Sequence, residues 1–272
     1  MSQKLPLLVE PEQLQHHLGD PDLLVVDLSQ MSVHTEIHIP GAVHLDYGSI
    51  VGGHRNTGGL LPDEGVLSGV LSNVGLKAEH HVVAYDDEGG GKAARLLWTL
   101  EILGHGRYSL LNGGLHAWAG EGFPLERAPT PIEPSAYHAA LDRDSEAIAD
   151  ADYILAHLDD PSVALLDARS PGEFDGSKKF AARGGHIPGA VNMEWTEAMD
   201  QKRNLRLKEP SASRSRLEKL GIRAEQTVVA YCQTHHRSAH TWFWLKWLGY
   251  RAKGYPGSWS DWGNRPELPV EG

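Results

Sequence analysis

The chain of 272 residues has a single cysteine, Cys232. That excludes intramolecular disulfides, a C-x-x-C dithiol and a cysteine-rich zinc site. Long hydrophobic runs are missing as well, and no stretch approaches the roughly 18 apolar residues of a membrane span. Positive charge is scarce: 25 Lys and Arg stand against 36 Asp and Glu, for a formal net charge of −11. The overall field therefore opposes nucleic acid and anionic membranes, and a small anionic substrate needs a local positive site. The first residues, Met1 to Pro6, open into Glu10-Pro11-Glu12 with no apolar h-region or small-residue cleavage site. They do not read as a secretory signal, and a cytoplasmic location, which keeps a lone thiol reduced, is the expectation.

What the chain does contain is a repeat. His38-Ile39-Pro40-Gly41-Ala42-Val43 recurs as His186-Ile187-Pro188-Gly189-Ala190-Val191, and Val82-Val83-Ala84-Tyr85 as Val228-Val229-Ala230-Tyr231. Leu24 to Asp27 is answered by Ala164 to Asp167, and Gly113 to Trp118 by Gly257 to Trp262. Four matches in one order describe two copies of a domain of about 120 to 140 residues. Each copy runs from an amphipathic stretch (Pro11 to Leu18; Asp150 to Leu158) to a short apolar strand ending in Asp. The H-I-P-G-A-V turn, a helix ending in Gly, the V-V-A-Y strand, a loop and a second helix follow. Strands alternating with helices predict an α/β fold with a parallel sheet flanked by helices in each copy. Ala128 to Ser135 carries three prolines and reads as the linker. The expected division is 1–127, a linker over 128–137, and 138–272.

Cys232 follows the second V-V-A-Y strand and opens the polar loop Gln233-Thr234-His235-His236-Arg237, before an apolar stretch of helical length from Ala239 to Leu248. Amides of the loop and of the helix's first turn would point at the sulfur and favour its anion, and Arg237 would add to that field. A buried structural cysteine is the bland alternative, but Gln-Thr-His-His-Arg is a costly wall for an inert core position. Cys232, His235 and His236 could also hold zinc; such sites need three or four ligands, and no further cluster accompanies these in sequence. In the first copy the matching position is Asp86, in an acidic loop that cannot supply a soft nucleophile. That copy is expected to be catalytically silent, with Asp86 and Asp87 capping the next helix. Gly89 to Lys92 lacks the spacing of a phosphate loop.

Taken together, the duplication, Asp167-Ala168-Arg169, Gly185 to Ala190, the one loop cysteine and Pro256-Gly257-Ser258-Trp259-Ser260-Asp261-Trp262 resemble the two-domain rhodaneses. These are the thiosulfate and 3-mercaptopyruvate sulfurtransferases, and the resemblance covers nearly the whole chain. It implies that the Cys232 thiolate attacks the outer sulfur of thiosulfate, that sulfite leaves, and that the resulting persulfide passes its sulfur to cyanide or another thiophile. Such covalent catalysis is ping-pong and requires no metal or organic cofactor. The resemblance also leaves open a carrier that hands sulfur to a protein partner. A monomer is the simplest expectation for two fused domains.

Several departures from the family pattern bear on the substrate. Phosphatases of related fold use C-x5-R, whereas Cys232 and Arg237 enclose a shorter loop, better sized for one sulfur atom than for phosphate; phosphatase or arsenate reductase activity is the enzymatic runner-up. No lysine stands in the loop, so Arg237, with His235 or His236, supplies the charge that would favour thiosulfate over mercaptopyruvate. Where the family often has G-R-[FY], this chain has Gly172-Glu173-Phe174. Arg183 is the expected outer substrate anchor, while Arg169 has the alternative of a structural ion pair. Trp195 is expected nearest the cleft, and Trp242, Trp244, Trp247, Trp259 and Trp262 in the core or an interface. His16-His17 and His80-His81 are expected at the surface.

Overall fold

The computed structural model describes residues 5–272. The first half of the chain forms β1 (Leu8–Val9), α1 (Pro11–Gln15), β2 (Leu23–Asp27), α2 (Met31–Glu36) and β3 (Val43–His44). A hairpin of β4 (Gly52–His54) and β5 (Thr57–Leu60) follows, then α3 (Glu64–Asn73), β6 (His81–Tyr85), α4 (Gly91–Ile102), β7 (Tyr108–Leu111) and α5 (Gly114–Gly120). The second half repeats the series with α6 (Ala151–Ala156), β8 (Val163–Asp167), α7 (Pro171–Phe174) and β9 (Val191–Asn192). It continues with the hairpin β10 (Met199–Asp200) and β11 (Arg206–Leu207), then α8 (Pro210–Lys219), β12 (Thr227–Tyr231), α9 (Arg237–Trp247), β13 (Arg251–Gly254) and α10 (Ser258–Trp262).

The chain divides into two compact units that are not contiguous stretches. The first takes residues up to Ile50, Pro62–Asp142 and Met199–Leu207; the second takes Val51–Leu61, Arg143–Ala198 and Lys208–Gly272. Each unit thus includes the short hairpin of the other copy. The Pro-rich segment continues along the first unit, where Ser135 bonds Ser72 and Ala139 bonds Ser68.

Within the first unit the sheet order is β1-β7-β6-β2-β3, and within the second β13-β12-β8-β9, with every neighbouring pair parallel. The central pairs keep one register in both copies: Asp27 lies opposite Tyr85, and Asp167 opposite Tyr231. These strands are apolar because helices cover a parallel sheet on both faces. Val25, Val83, Tyr85, Leu111 and Trp118 build one core; Leu165, Val229, Tyr231, Trp259 and Trp262 build the other. Trp242 and Trp244 are buried and Trp247 is half-buried, all on α9. Contrary to the surface expectation, His80 and His81 are buried at the start of β6, where the His81 Nε2 meets the Ser109 hydroxyl at 2.7 Å. Strand entry, not loop polarity, decides their place. No helix among the described residues is long and apolar enough to cross a membrane.

Candidate active site

β12 ends at Tyr231 and α9 begins at Arg237, so Gln233 to His236 must turn back beyond the carboxyl end of the sheet. Parallel α/β sheets bind ligands at that edge. The turn is tight: His235 adopts φ 54°, a left-handed conformation that a non-glycine side chain enters at a cost. In the first copy the matching residue is Gly89, φ 95°, so the left-handed position is duplicated, although the next residue differs, Gly90 at φ 111° against His236 at φ −92°.

Cys232 is 1% exposed. Its backbone is pinned from both sides, with its amide donating to Ser258 Oγ at 3.2 Å and its carbonyl accepting from Trp259 N at 2.9 Å. The Gln233 carbonyl accepts from Ser260 N at 3.0 Å. The sulfur itself accepts from Ser238 Oγ at 3.3 Å. Burial alone pushes the thiol up; the Arg237 charge, the Ser238 hydroxyl and the amides of Ser238 and Thr234 outweigh it and hold the thiol below its ordinary range. The loop therefore stabilises an anion on sulfur at its base.

Arg237 is not a free cation. Its guanidinium forms a two-pronged ion pair with Glu173 of α7, at 2.7 and 2.8 Å. Burial tends to raise the Glu173 carboxyl, but the Arg237 fork and the Ser170 hydroxyl bring it down to about 2. The residue that departs from the family's G-R-[FY] is thus the partner of the loop arginine. The excess positive charge expected at the loop is correspondingly smaller.

The other loop positions are placed as follows. Gln233 is half-buried and donates to the Phe180 carbonyl at 3.2 Å. Thr234 faces the hairpin: a Cβ added at Gly58 would stand 3.2 Å from its methyl, and one at Gly59 only 2.1 Å from its carbonyl oxygen. Gly58 also donates to Ser260 Oγ at 3.0 Å, so the hairpin β4–β5 forms a wall of the second unit's loop. His235 is fully buried, with Nδ1 2.8 Å from Ser238 Oγ. His236 lies 5.8 Å, ring to ring, from Trp195, and His240 lies 5.4 Å from the same indole, which places half-buried Trp195 beside the loop.

Arg183 is occupied elsewhere. Its guanidinium donates to the carbonyls of Leu268 at 2.6 Å, Trp262 at 2.9 Å and Arg265 at 2.5 Å. These bonds brace the chain's C-terminal turn and lend no support to the expected role as substrate anchor. Arg169 takes the structural alternative. It is buried, bonds Asp167 through Nε and Nη2, at 2.6 Å for the shortest contact, and lies 4.5 Å over the Trp259 ring. Among the described residues no group of three or more His, Cys, Asp or Glu is arranged to hold a metal ion.

In the first unit the corresponding cup is filled by its own side chain. The buried Asp86 carboxyl accepts from the amides of Glu88 at 3.0 Å, Gly90 at 2.7 Å and Ala93 at 2.9 Å. Burial and neighbouring Glu88 raise its pKa, and the three amides oppose them. Asp86 thus meets an early amide of α4 and the loop amides alike; Asp87 instead pairs with Lys92 at 2.9 Å.

Glu173, Ser238, Ser258 and the glycines of the hairpin were not singled out as site residues from the sequence. Glu173 had a visible signal, the acid in place of a family arginine. Ser258 lies inside the P-G-S-W motif, and Gly52-Gly53 and Gly58-Gly59 bracket a hairpin-like stretch.

The model of the rhodanese-like domain matches the chain twice, over residues 10–121 and 150–265. A thiosulfate sulfurtransferase of Azotobacter vinelandii is 47% identical over 268 residues, covering 98% of this chain and 97% of that protein. One from Pseudomonas aeruginosa is 43% identical, covering 98% and 97%. A sulfur carrier protein of Thermus thermophilus is 32% identical, covering 97% and 96%. Among solved structures, an anaerobic ergothioneine biosynthesis enzyme from Chlorobium limicola superposes with a TM-score of 0.85 at 23% identity, covering 97% of this chain and 70% of that one, which shows a shared fold. With the domain present in both copies and close relatives spanning nearly its full length, the chain belongs to the rhodanese family as a tandem rhodanese-like protein.

Proposed function

We propose that this protein is a thiosulfate sulfurtransferase working through a persulfide on Cys232. The observation that carries the reading is the thiol itself: the one cysteine is buried at the base of an amide-lined loop that lowers its pKa. The thiolate attacks the outer sulfur of thiosulfate, the S–S bond breaks, and sulfite departs with the electron pair. Cyanide or a thiol then takes that sulfur and returns the pair to Cys232. Gln233, Thr234, His235, His236 and Arg237 form the cup, with Trp195 at its edge. The first copy, 1–127, is catalytically silent with Asp86 in its cup, and 138–272 carries the chemistry after the 128–137 linker; the hairpin β4–β5 is the first copy's contribution to the catalytic unit. The protein acts as a cytoplasmic monomer.

Thiosulfate rather than 3-mercaptopyruvate as donor is supported by the names of the relatives at 43% and 47% identity. Because Glu173 offsets Arg237, loop charge is a weaker argument for the dianion. The loop between Cys232 and Arg237, shorter than the C-x5-R loop of phosphatases, argues against a phosphatase. A second reading, a carrier delivering sulfur to a protein, is favoured by the 32% identical sulfur carrier protein.

The test is intact mass before and after thiosulfate, then after cyanide, in wild type and Cys232→Ser. A gain of one sulfur that needs Cys232 and vanishes with cyanide is expected. A gain only with mercaptopyruvate would move the donor, and no adduct from either would end the reading. Slow discharge to cyanide beside fast discharge to a protein thiol would favour the carrier.

A further inference from the structure

His235 combines three properties that an idle loop residue does not need together. Its side chain is fully buried, its backbone holds φ 54°, and its imidazole is directed to the Ser238 hydroxyl, which donates to the nucleophile's sulfur. In the silent copy Gly89 keeps the left-handed backbone without an imidazole, so the turn by itself does not require histidine.

Counting hydrogens assigns the direction of the contacts. The Ser238 hydroxyl has one hydrogen and donates it to Cys232 Sγ at 3.3 Å. Toward His235 Nδ1, 2.8 Å away, the same oxygen can then only accept, so Nδ1 carries a hydrogen. The imidazole N–H and the hydroxyl O–H thus form a two-link chain of donors ending on the sulfur, with all three residues buried. Aligned hydrogen bonds of this kind polarise one another.

We propose that His235 is a positioning residue which, through Ser238, keeps a hydroxyl hydrogen on Cys232 Sγ and so makes the thiolate a better leaving group when the persulfide is discharged. The inference rests on the persulfide reading. In discharge the acceptor's carbon or sulfur bonds the outer sulfur, the S–S bond breaks, and its electron pair stays on Sγ; no proton is consumed. A thiol of lower pKa leaves faster, whereas in the donor half-reaction an ionised thiol of higher pKa attacks no more slowly. The donor chain therefore acts chiefly on the second half-reaction.

The other charged and titratable groups around the cup are Arg237 of α9 with Glu173 of α7, the Asp167–Arg169 pair at the end of β8 with Tyr231 beneath it, and His236 and His240 beside Trp195. The test leaves all of these in place. Because Cys232 is the sole cysteine, its thiolate absorbance can be titrated directly in the intact protein, with Cys232→Ser as the blank. The variants are His235→Gly, which keeps the left-handed turn, Ser238→Ala, the double variant, and His235→Asn, whose amide can donate from near the Nδ1 position and tolerates positive φ.

The expected result is a midpoint raised by about one pH unit in His235→Gly and in Ser238→Ala, no further rise in the double variant, and recovery in His235→Asn. Above that midpoint, rapid-mixing measurements should find donor loading retained and discharge to cyanide slowed roughly threefold. A His235→Gly midpoint and discharge rate equal to wild type would overturn the proposal, as would shifts that simply add in the double variant. If even wild type loads no sulfur, the persulfide reading fails on its own, while the titration still decides whether the donor chain exists.

Discussion

Glu173 holds Arg237 by both carboxylate oxygens, at 2.7 and 2.8 Å, and thereby ties α7 to the first turn of the helix that follows the nucleophile loop. The pair is largely buried on the Glu173 side. It sets the charge of the loop, because one carboxylate balances the guanidinium whose field lowers the Cys232 thiol.

Removing that balance has a definite direction. In Glu173→Gln the Arg237 field is no longer offset, so the Cys232 thiol should titrate lower and the apparent KM for thiosulfate should fall several-fold. The stability consequence follows from linkage. Glu173 titrates at about 2 in the folded protein, below the roughly 4.3 of an unfolded glutamate, so its contribution is fully present above that value and is lost as pH falls toward 2. Denaturant unfolding from pH 6 to pH 3 should show wild type losing about 1.7 kcal/mol more than Glu173→Gln, the remainder of the effect lying below pH 3. Parallel pH profiles would show that the ion pair contributes nothing.

Arg169 is costly to remove from the second unit. It is a buried cation bound to Asp167 and to the Gly185 carbonyl. Arg169→Ala leaves the Asp167 carboxylate buried without its counter-charge, and thermal unfolding should report a loss of about 3–5 kcal/mol. A loss under about 1 kcal/mol would mean that water or a rearranged donor replaces the guanidinium.

The hairpin wall makes a steric prediction. A methyl at Gly59 would need to stand 2.1 Å from the Thr234 carbonyl oxygen, on a backbone with φ 78°. Gly59→Ala must therefore displace the loop or the hairpin, and sulfur transfer should fall at least tenfold. Gly19→Ala is the control, since it has a similar φ of 89° and nothing within 4 Å. It should lose about 1 kcal/mol of stability and keep its rate. Equal activity in both variants would remove the hairpin from the loop's support.

Asp86 predicts the opposite pattern to Gly59. Asp86→Ala strips three amides of their buried acceptor, which should cost about 2–4 kcal/mol in the first unit while leaving the persulfide cycle intact. Denaturation followed by a probe in the first unit, together with the mass assay, separates the two effects. Loss of sulfur loading in this variant would show that the first cup takes part in the chemistry.

Much of the architecture was legible in local pattern. The duplicated strands ending at Asp27 and Asp167 form at those residues because apolar runs of strand length bounded by turn residues have few other ways to be buried. The helix after Cys232 was readable for the same reason, and with it the amide-lined loop. Less could be read of what surrounds that loop. Arg183 and Arg237 are equally basic in sequence, yet one binds three carbonyls of the C-terminal turn and the other binds Glu173.

The sequence alone determined the repeat, the parallel α/β class, the lone thiol and its position between strand and helix, since each depends on residue type and short-range spacing. Tertiary structure decided which cation faces the sulfur and what balances it, which hydroxyl touches it, and which hairpin backs its loop. Those choices join residues far apart in the chain, such as Glu173 with Arg237 and Gly58 with Ser260. They are settled by packing and by the need to pair every buried polar group, constraints that no local stretch of sequence contains.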